Sequence, residues 1–166
     1  MSIVPRITPN LWFDTQAKEA AKFYTSVFKN SQIERITRYP QEGQEVHGKT
    51  AGTVMTVEFR LDGQRFVALN GGPQFKFNEA ISLIVSCETQ EEIDYYWEKL
   101  GEGGDDQAQV CGWLKDKFGV SWQIVPTVMT DWFQDDGSAG AKRAMNAMLQ
   151  MKKMDIEALK KAYGVS

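Results

Sequence analysis

The sequence predicts an α+β fold in which one pattern, βαβββ, occurs twice and is followed by helices. Three observations predict it. Short β-branched segments alternate with segments whose apolar residues recur at helical spacing. Asp62-Gly63 and Phe118-Gly119 each lie between two apolar runs, as hairpin turns do. Phe13, Tyr24 and Phe28 recur at one common offset as Val85, Tyr96 and Leu100, so the second half restarts the first.

Residues 9–13 are apolar-rich and predict a strand. Asp14 or Thr15 can cap the helix that follows over about 15–29, where Ala17, Ala20, Ala21, Tyr24, Val27 and Phe28 form one face. Residues 33–39 predict a second strand, and the polar stretch 41–49 a loop. Residues 53–61 and 65–69 predict a hairpin closed by Asp62-Gly63. In the second half, residues 81–85 predict a strand. Thr89-Gln90-Glu91-Glu92 is a capping box for a helix carrying Ile93, Tyr96, Trp97 and Leu100 and stopping near Gly101. Residues 110–115 and 120–125 predict a second hairpin. Beyond Pro126 the pattern turns helical over 127–133, 139–149 and 155–163. There Met145, Met148, Met151 and Met154 recur every third residue, a spacing that suits the buried face of a helix or an adaptable binding surface.

Composition narrows the function classes. Of the 166 residues 42% are hydrophobic and 25% charged, an ordinary globular balance that needs no disulfide scaffold. A net charge of −3 lacks the basic footprint of a nucleic-acid binder. No apolar run approaches the ~20 residues that span a bilayer. Two cysteines without a CxxC spacing, and an N-terminus without an apolar leader, predict reduced thiols and a cytoplasmic location.

Four segments carry a family resemblance: Leu11-Trp12-Phe13-Asp14; the helix segment Ala21 to Phe28; Leu69-Asn70-Gly71-Gly72-Pro73; and Asp116-Lys117-Phe118-Gly119-Val120-Ser121-Trp122-Gln123. The chain resembles the vicinal-oxygen-chelate superfamily of glyoxalases, dioxygenases and fosfomycin- and bleomycin-resistance proteins. Within it the chain is similar to the PhnB-like, 3-demethylubiquinone methyltransferase-like branch. The resemblance implies a domain over residues 1–126, with halves of about 5–72 and 78–126, whose paired curved sheets enclose a cavity. Residues 127–166 are then a C-terminal helical extension. It also implies a small-molecule ligand and a homodimer. The function is then ligand binding or, alternatively, lyase, transferase or dioxygenase chemistry on a small oxygen-rich or cyclic substrate.

Metal-using members of such a family place His, Glu or Gln on the first and last strand of each half, where facing strands surround one divalent cation. Those places fall here near Pro9, at Val67 or Leu69, near residues 80–82, and at Gln123. Only Gln123 is a suitable oxygen donor, so no metal or other cofactor is expected. The single histidine, His47, lies in the predicted loop. Gly71-Gly72-Pro73 follows a strand but does not continue into a phosphate-cradling helix.

Five ligand-binding candidates remain. Strand parity places Gln123 on one face with Ser121 and Val125, and turns Trp122 and Ile124 to the other. Trp113 and Cys111 share a parity on the neighbouring strand; Cys111 is either an inert small hydrophobe or a nucleophile activated by Lys115 or Lys117. Glu58 is either a general base with a raised pKa or a solvated or paired strand carboxylate. Asn70 either meets a ligand or caps the turn.

Overall fold

The computed structural model describes residues 5–134 and 137–165. The fold is α+β, with two small sheets and six helices among the described residues. None of those helices is long and apolar enough to cross a membrane. The chain divides after Lys76 into two compact units.

The first unit holds β1 (Asn10–Phe13), α1 (Ala17–Val27), β2 (Gln32–Arg38), α2 (Gln44–His47), β3 (Val54–Leu61) and β4 (Gln64–Asn70). Its sheet has the order β1-β4-β3-β2, with β1 parallel to β4 and the other pairs antiparallel. The periodicity of α1 is realised as read: Ala17, Ala20, Ala21, Tyr24 and Val27 are buried. Tyr24 stacks on Phe59 at 6.3 Å between centroids, and Phe59 on Phe66 at 5.5 Å. Each large apolar side chain so buried stabilises the fold by about 1.5–3 kcal/mol. Val57, Phe59 and Leu61 of β3, and Phe66 and Ala68 of β4, are buried with that helix, so Thr56, Glu58, Arg65 and Val67 point to the opposite face. Asp62 and Gly63 close the hairpin with φ of +47° and +82°, the primed turn that Asp-Gly favours. The predicted loop 41–49 contains the single turn α2 between left-handed Gly43 and Gly48.

The second unit holds β5 (Ser82–Cys87), α3 (Gln90–Gly101), a 3₁₀ turn (Asp106–Ala108), β6 (Trp113–Lys115), β7 (Ser121–Pro126), α4 (Val128–Trp132), α5 (Ala139–Met148) and α6 (Ile156–Tyr163). Its sheet order is β5-β7-β6, with β5 parallel to β7. The repeat is visible in topology: each half begins with a strand running parallel to its last one. The second half has one strand fewer, because residues 101–109 are rich in Gly, Asp and Gln and lack the alternation a strand needs. The Thr89 half of the capping box forms, Thr89 Oγ1 accepting from the Glu92 N–H at 3.2 Å, while Glu92 Oε2 accepts at 2.7 Å from the N–H of Glu88, one residue before the cap, rather than from that of Thr89.

The C-terminal helices belong to this unit. Asp155 caps α6 by accepting from the Ala158 N–H, and Arg143 of α5 donates to the last carbonyls of α6, Ala162 and Tyr163, both at 2.8 Å. The methionine stripe does not form one face. Helix α5 buries Ala141 and Ala144, leaves Met145 exposed and ends at Met148; only Met154, in the following link, is fully buried.

Candidate functional site

In the first unit the candidates are occupied by structural contacts. Asn70 is buried and its side chain is used twice. Its Oδ1 accepts from the Ala17 N–H at 2.8 Å, satisfying the first turn of α1, and its Nδ2 donates to the Val54 carbonyl at 3.1 Å. Its own carbonyl accepts from the Tyr39 hydroxyl at 2.6 Å. Asn70 thus caps a helix from a distant strand, replacing the Asp14 or Thr15 cap that local sequence suggests. Glu58 accepts from Arg35 on β2 and from Arg65 on β4. These hydrogen bonds, that of Arg35 foremost, outweigh desolvation and hold its carboxyl below the ordinary value of 4.5. That direction is opposite to the raised pKa of a general base at neutral pH.

His47 packs its ring 4.9 Å from that of Tyr39, its Nδ1 accepts from the Lys49 N–H at 2.9 Å, and Nε2 lies 3.3 Å from the Glu42 carbonyl. Both nitrogens therefore serve the loop. The turn Gly71-Gly72 is filled by Trp12, whose indole N–H donates to the Gly72 carbonyl at 2.9 Å. A Cβ at Gly71 would lie 2.3 Å from that ring. A cleft of about 810 Å³ opens beside this region, lined by Lys18, Lys22, Tyr39, Lys49 and Asn70 among others. Its buried polar groups, Tyr39 and Asn70, are already paired.

The second unit differs. Register divides the open face of its sheet into rows. Ile84, Gln123 and Trp113 lie side by side across β5, β7 and β6, and Ser82, Ser121 and Lys115 form the next row. Leu83, Trp122, Ile124 and Leu114 project to the other face, as parity predicts. Gln123 Nε2 donates diagonally to Ser82 Oγ at 2.8 Å. Glu79, just ahead of β5, is ion-paired with Lys115. Beside these rows is a cavity of about 440 Å³ lined by Trp113, Lys115, Ser121, Glu79, Gln107 and Cys111 together with apolar neighbours.

The turn between β6 and β7 fixes this arrangement. Asp116 is buried; its Oδ1 accepts from the Phe118 and Val120 N–H groups at 2.9 and 3.1 Å, and its Oδ2 from the Trp122 indole at 2.8 Å. One carboxylate therefore sets both the turn and the orientation of the core tryptophan.

Cys111 departs from the sequence reading. Strand β6 begins only at Trp113; Val110 bridges to Trp113 across a tight turn in which Cys111 and Gly112 have φ of +50° and +81°. Cys111 and Trp113 do not share a strand face. The cause is distant: the N–H groups of Cys111 and Gly112 donate to the carbonyls of Met151 and Lys152, both at 2.8 Å. The Cys111 side chain still reaches the cavity wall. Cys87 is enclosed, and burial pushes its thiol up to about 12.

The structure thus brings together Gln123, Trp113 and, at the wall, Cys111, while Glu58 and Asn70 lie in the other unit. Sequence reasoning misses Glu79 altogether, names Lys115 only as a possible activator of Cys111, and meets Ser82 only within a place that lacks a suitable metal ligand. Parity alone could have found Ser82 and Lys115, once β5 and β6 were registered against β7. The residues do not fit the divalent-cation site of metal-using relatives. Gln123 is flanked by Ile84 and Trp113, Val67 and Leu69 are apolar, and no three His, Cys, Asp or Glu cluster among the described residues.

Residues 5–125 match the sequence profile of a family described as 3-demethylubiquinone-9 3-methyltransferase. A solved structure of a putative 3-demethylubiquinone-9 3-methyltransferase, PhnB protein, from Bacillus cereus is 38% identical. The match covers 74% of this chain and 100% of that one, with a TM-score of 0.64. Protein PA1353 from Pseudomonas aeruginosa is 18% identical over 74% of this chain and 98% of that one, at a TM-score of 0.57, a likeness of fold. The fosfomycin resistance protein FosX from Listeria monocytogenes matches at 14% identity, over 78% of this chain and 96% of that one, with a TM-score of 0.49. No curated protein matches the chain.

Proposed function

This chain belongs to the PhnB-like, 3-demethylubiquinone-9 3-methyltransferase family, and we propose that it is a small-molecule-binding protein that works without the superfamily's usual divalent cation. One observation carries the reading: Trp113 and Gln123 stand side by side on an open sheet face next to a cavity of about 440 Å³. An aromatic surface with a few fixed polar groups is what a ligand pocket of this size uses to hold and orient its guest.

The family's descriptive name suggests methyl transfer. The glycine pair that most resembles a cofactor loop is filled by the Trp12 indole, so it offers no cradle for a nucleotide. Titration with S-adenosylmethionine is expected to give no binding heat; micromolar binding would favour the transferase reading.

The direct test is a fragment screen by NMR on the ¹⁵N-labelled full chain. Binders should move the Trp113 indole resonance, and Trp113→Leu should weaken them about tenfold, the loss of one stacking contact. A diverse panel that moves no resonance of the second unit sinks the proposal, as does stoichiometric divalent metal retained through chelator dialysis.

A homodimer and a reducing, cytoplasmic setting belong to the same proposal. In their favour, β5 is an edge strand of its sheet with Ile81 and Ile84 exposed, and both cysteines are free thiols. Light scattering on the purified chain decides the dimer; a monomer at high concentration removes it.

A further inference from the structure

Ser121 and Lys115 lie directly opposite each other on β7 and β6, so their side chains leave the same face about 5 Å apart at Cβ. Both line the cavity. Ser121 is 2% exposed, and its hydroxyl has no hydrogen-bond partner among the described residues. Buried hydroxyls are nearly always paired, so one aimed into a cavity wall points to a partner that comes from outside the chain. Ser82, its neighbour in the row, has its oxygen engaged by Gln123.

Lys115 is the one cation of the wall. Its ammonium is held by Glu79, whose side chain is 61% exposed and lies outside any strand or helix. The hydrogen bond from Lys115 keeps the Glu79 carboxyl ionised below its ordinary range. The remaining wall is largely apolar, from Ala108, Val110, Trp113 and Leu114. A guest therefore meets an aromatic and aliphatic surface, one unused hydroxyl donor, and one ammonium neutralised by a carboxylate from an exposed segment.

Resting on the small-molecule reading above, we infer that the cavity takes a small monocarboxylic acid with an apolar body. Its carboxylate replaces that of Glu79 on the Lys115 ammonium and accepts a hydrogen bond from Ser121, while the body lies against Trp113 and Val110. One lysine and one hydroxyl match a monoanion; a phosphate group, with more charge and more acceptor oxygens, would leave several of them unpaired here. Glu79 acts as the stand-in anion of the empty cavity, which spares Lys115 an unpaired charge.

The test uses benzoate and benzamide, matched in shape and different in charge, titrated into the ¹⁵N-labelled full chain. Benzoate is expected to move the Ser121 amide and Trp113 indole resonances saturably and to bind about tenfold more tightly than benzamide, the worth of one charged hydrogen bond. Glu79→Gln, an exposed change that leaves folding intact, should tighten benzoate several-fold by removing its competitor and leave benzamide unchanged. Lys115→Met should bring benzoate down to the benzamide level. Equal binding of the two probes, or benzoate affinity unmoved by Glu79→Gln, overturns the acid assignment and leaves small-molecule binding standing. No binding of either probe also overturns it, whereas the wider proposal falls only if the whole fragment panel fails.

Discussion

Asp116→Asn changes one atom of the side chain and should cost far more than an isosteric change suggests. The native carboxylate accepts three hydrogen bonds, two from the turn backbone and one from the Trp122 indole, inside a site only 2% exposed. An amide can keep its oxygen on the Phe118 and Val120 N–H groups, but its NH₂ then faces the indole N–H, donor against donor. The lost hydrogen bond to a charged acceptor is worth about 1.5–3 kcal/mol, and the stranded indole N–H adds about 1 kcal/mol or more. The total is about 3 kcal/mol. For a chain of this length that corresponds to a fall in Tm of about 10 °C. Urea unfolding followed by tryptophan fluorescence gives the value from the shift in midpoint at constant slope. The double-mutant cycle with Trp122→Phe isolates the cause. Without the indole N–H the donor-against-donor clash is gone, so the coupling should be about 2 kcal/mol. A cost of Asp116→Asn below about 0.5 kcal/mol, or no coupling to Trp122, refutes the assignment of this carboxylate as the organiser of the hairpin.

Three further outcomes follow from the first unit. Asn70→Ala removes the acceptor for Ala17 and the donor for Val54 and should cost about 2–3 kcal/mol by thermal unfolding, whereas Asn70→Asp keeps the acceptor at the positive end of α1 and should cost less; equal losses would contradict the capping role. Gly71→Ala drives a Cβ into the Trp12 ring and should eject the indole, red-shifting the tryptophan emission; an unchanged spectrum counts against the close approach. Glu58 has a folded pKa below its unfolded value, so its contribution is present above the ordinary value of 4.5 and fades as pH falls through the lowered folded value. Glu58→Gln should therefore flatten the dependence of stability on pH in the acid range, and parallel profiles for the two proteins would exclude a structural ion pair.

What the sequence revealed and what it hid follow a physical division. Signals carried by neighbours in the chain were legible. The helical spacing from Ala17 to Val27, the Thr89 helix cap, the Asp62-Gly63 turn and the alternation around Gln123 are all local patterns, and all formed. Signals set by distant partners were not. The run from Val110 to Lys115 alternates like a strand, yet backbone carbonyls forty residues away draw Cys111 and Gly112 into a left-handed turn. Glu58 reads as a lone carboxylate in an apolar strand until pairing with β2 and β4 brings two arginines to it. Asn70 reads as a turn residue because its helix begins at Ala17, far upstream. The orphan hydroxyl of Ser121 is visible only once every potential partner has been placed.

The same division bears on how far the family match reaches. It ends at residue 125, and the PhnB structure covers 74% of this chain. The turn that forms one wall of the cavity is nevertheless held by carbonyls of Met151 and Lys152, beyond the matched segment. Gln90, at the start of α3, ties the same stretch down by donating to the Met154 carbonyl and accepting from the Ile156 N–H, at 3.0 and 2.9 Å. Beneath the turn, a Cβ at Gly112 would meet the Ile124 carbonyl and the Met154 side chain, both at 2.9 Å. Only glycine combines that close approach with a φ of +81°. The position of Cys111 in the wall is therefore a joint product of a glycine inside the matched region and a backbone clamp outside it. The shape of this cavity is therefore a property of the whole chain rather than of the matched segment alone.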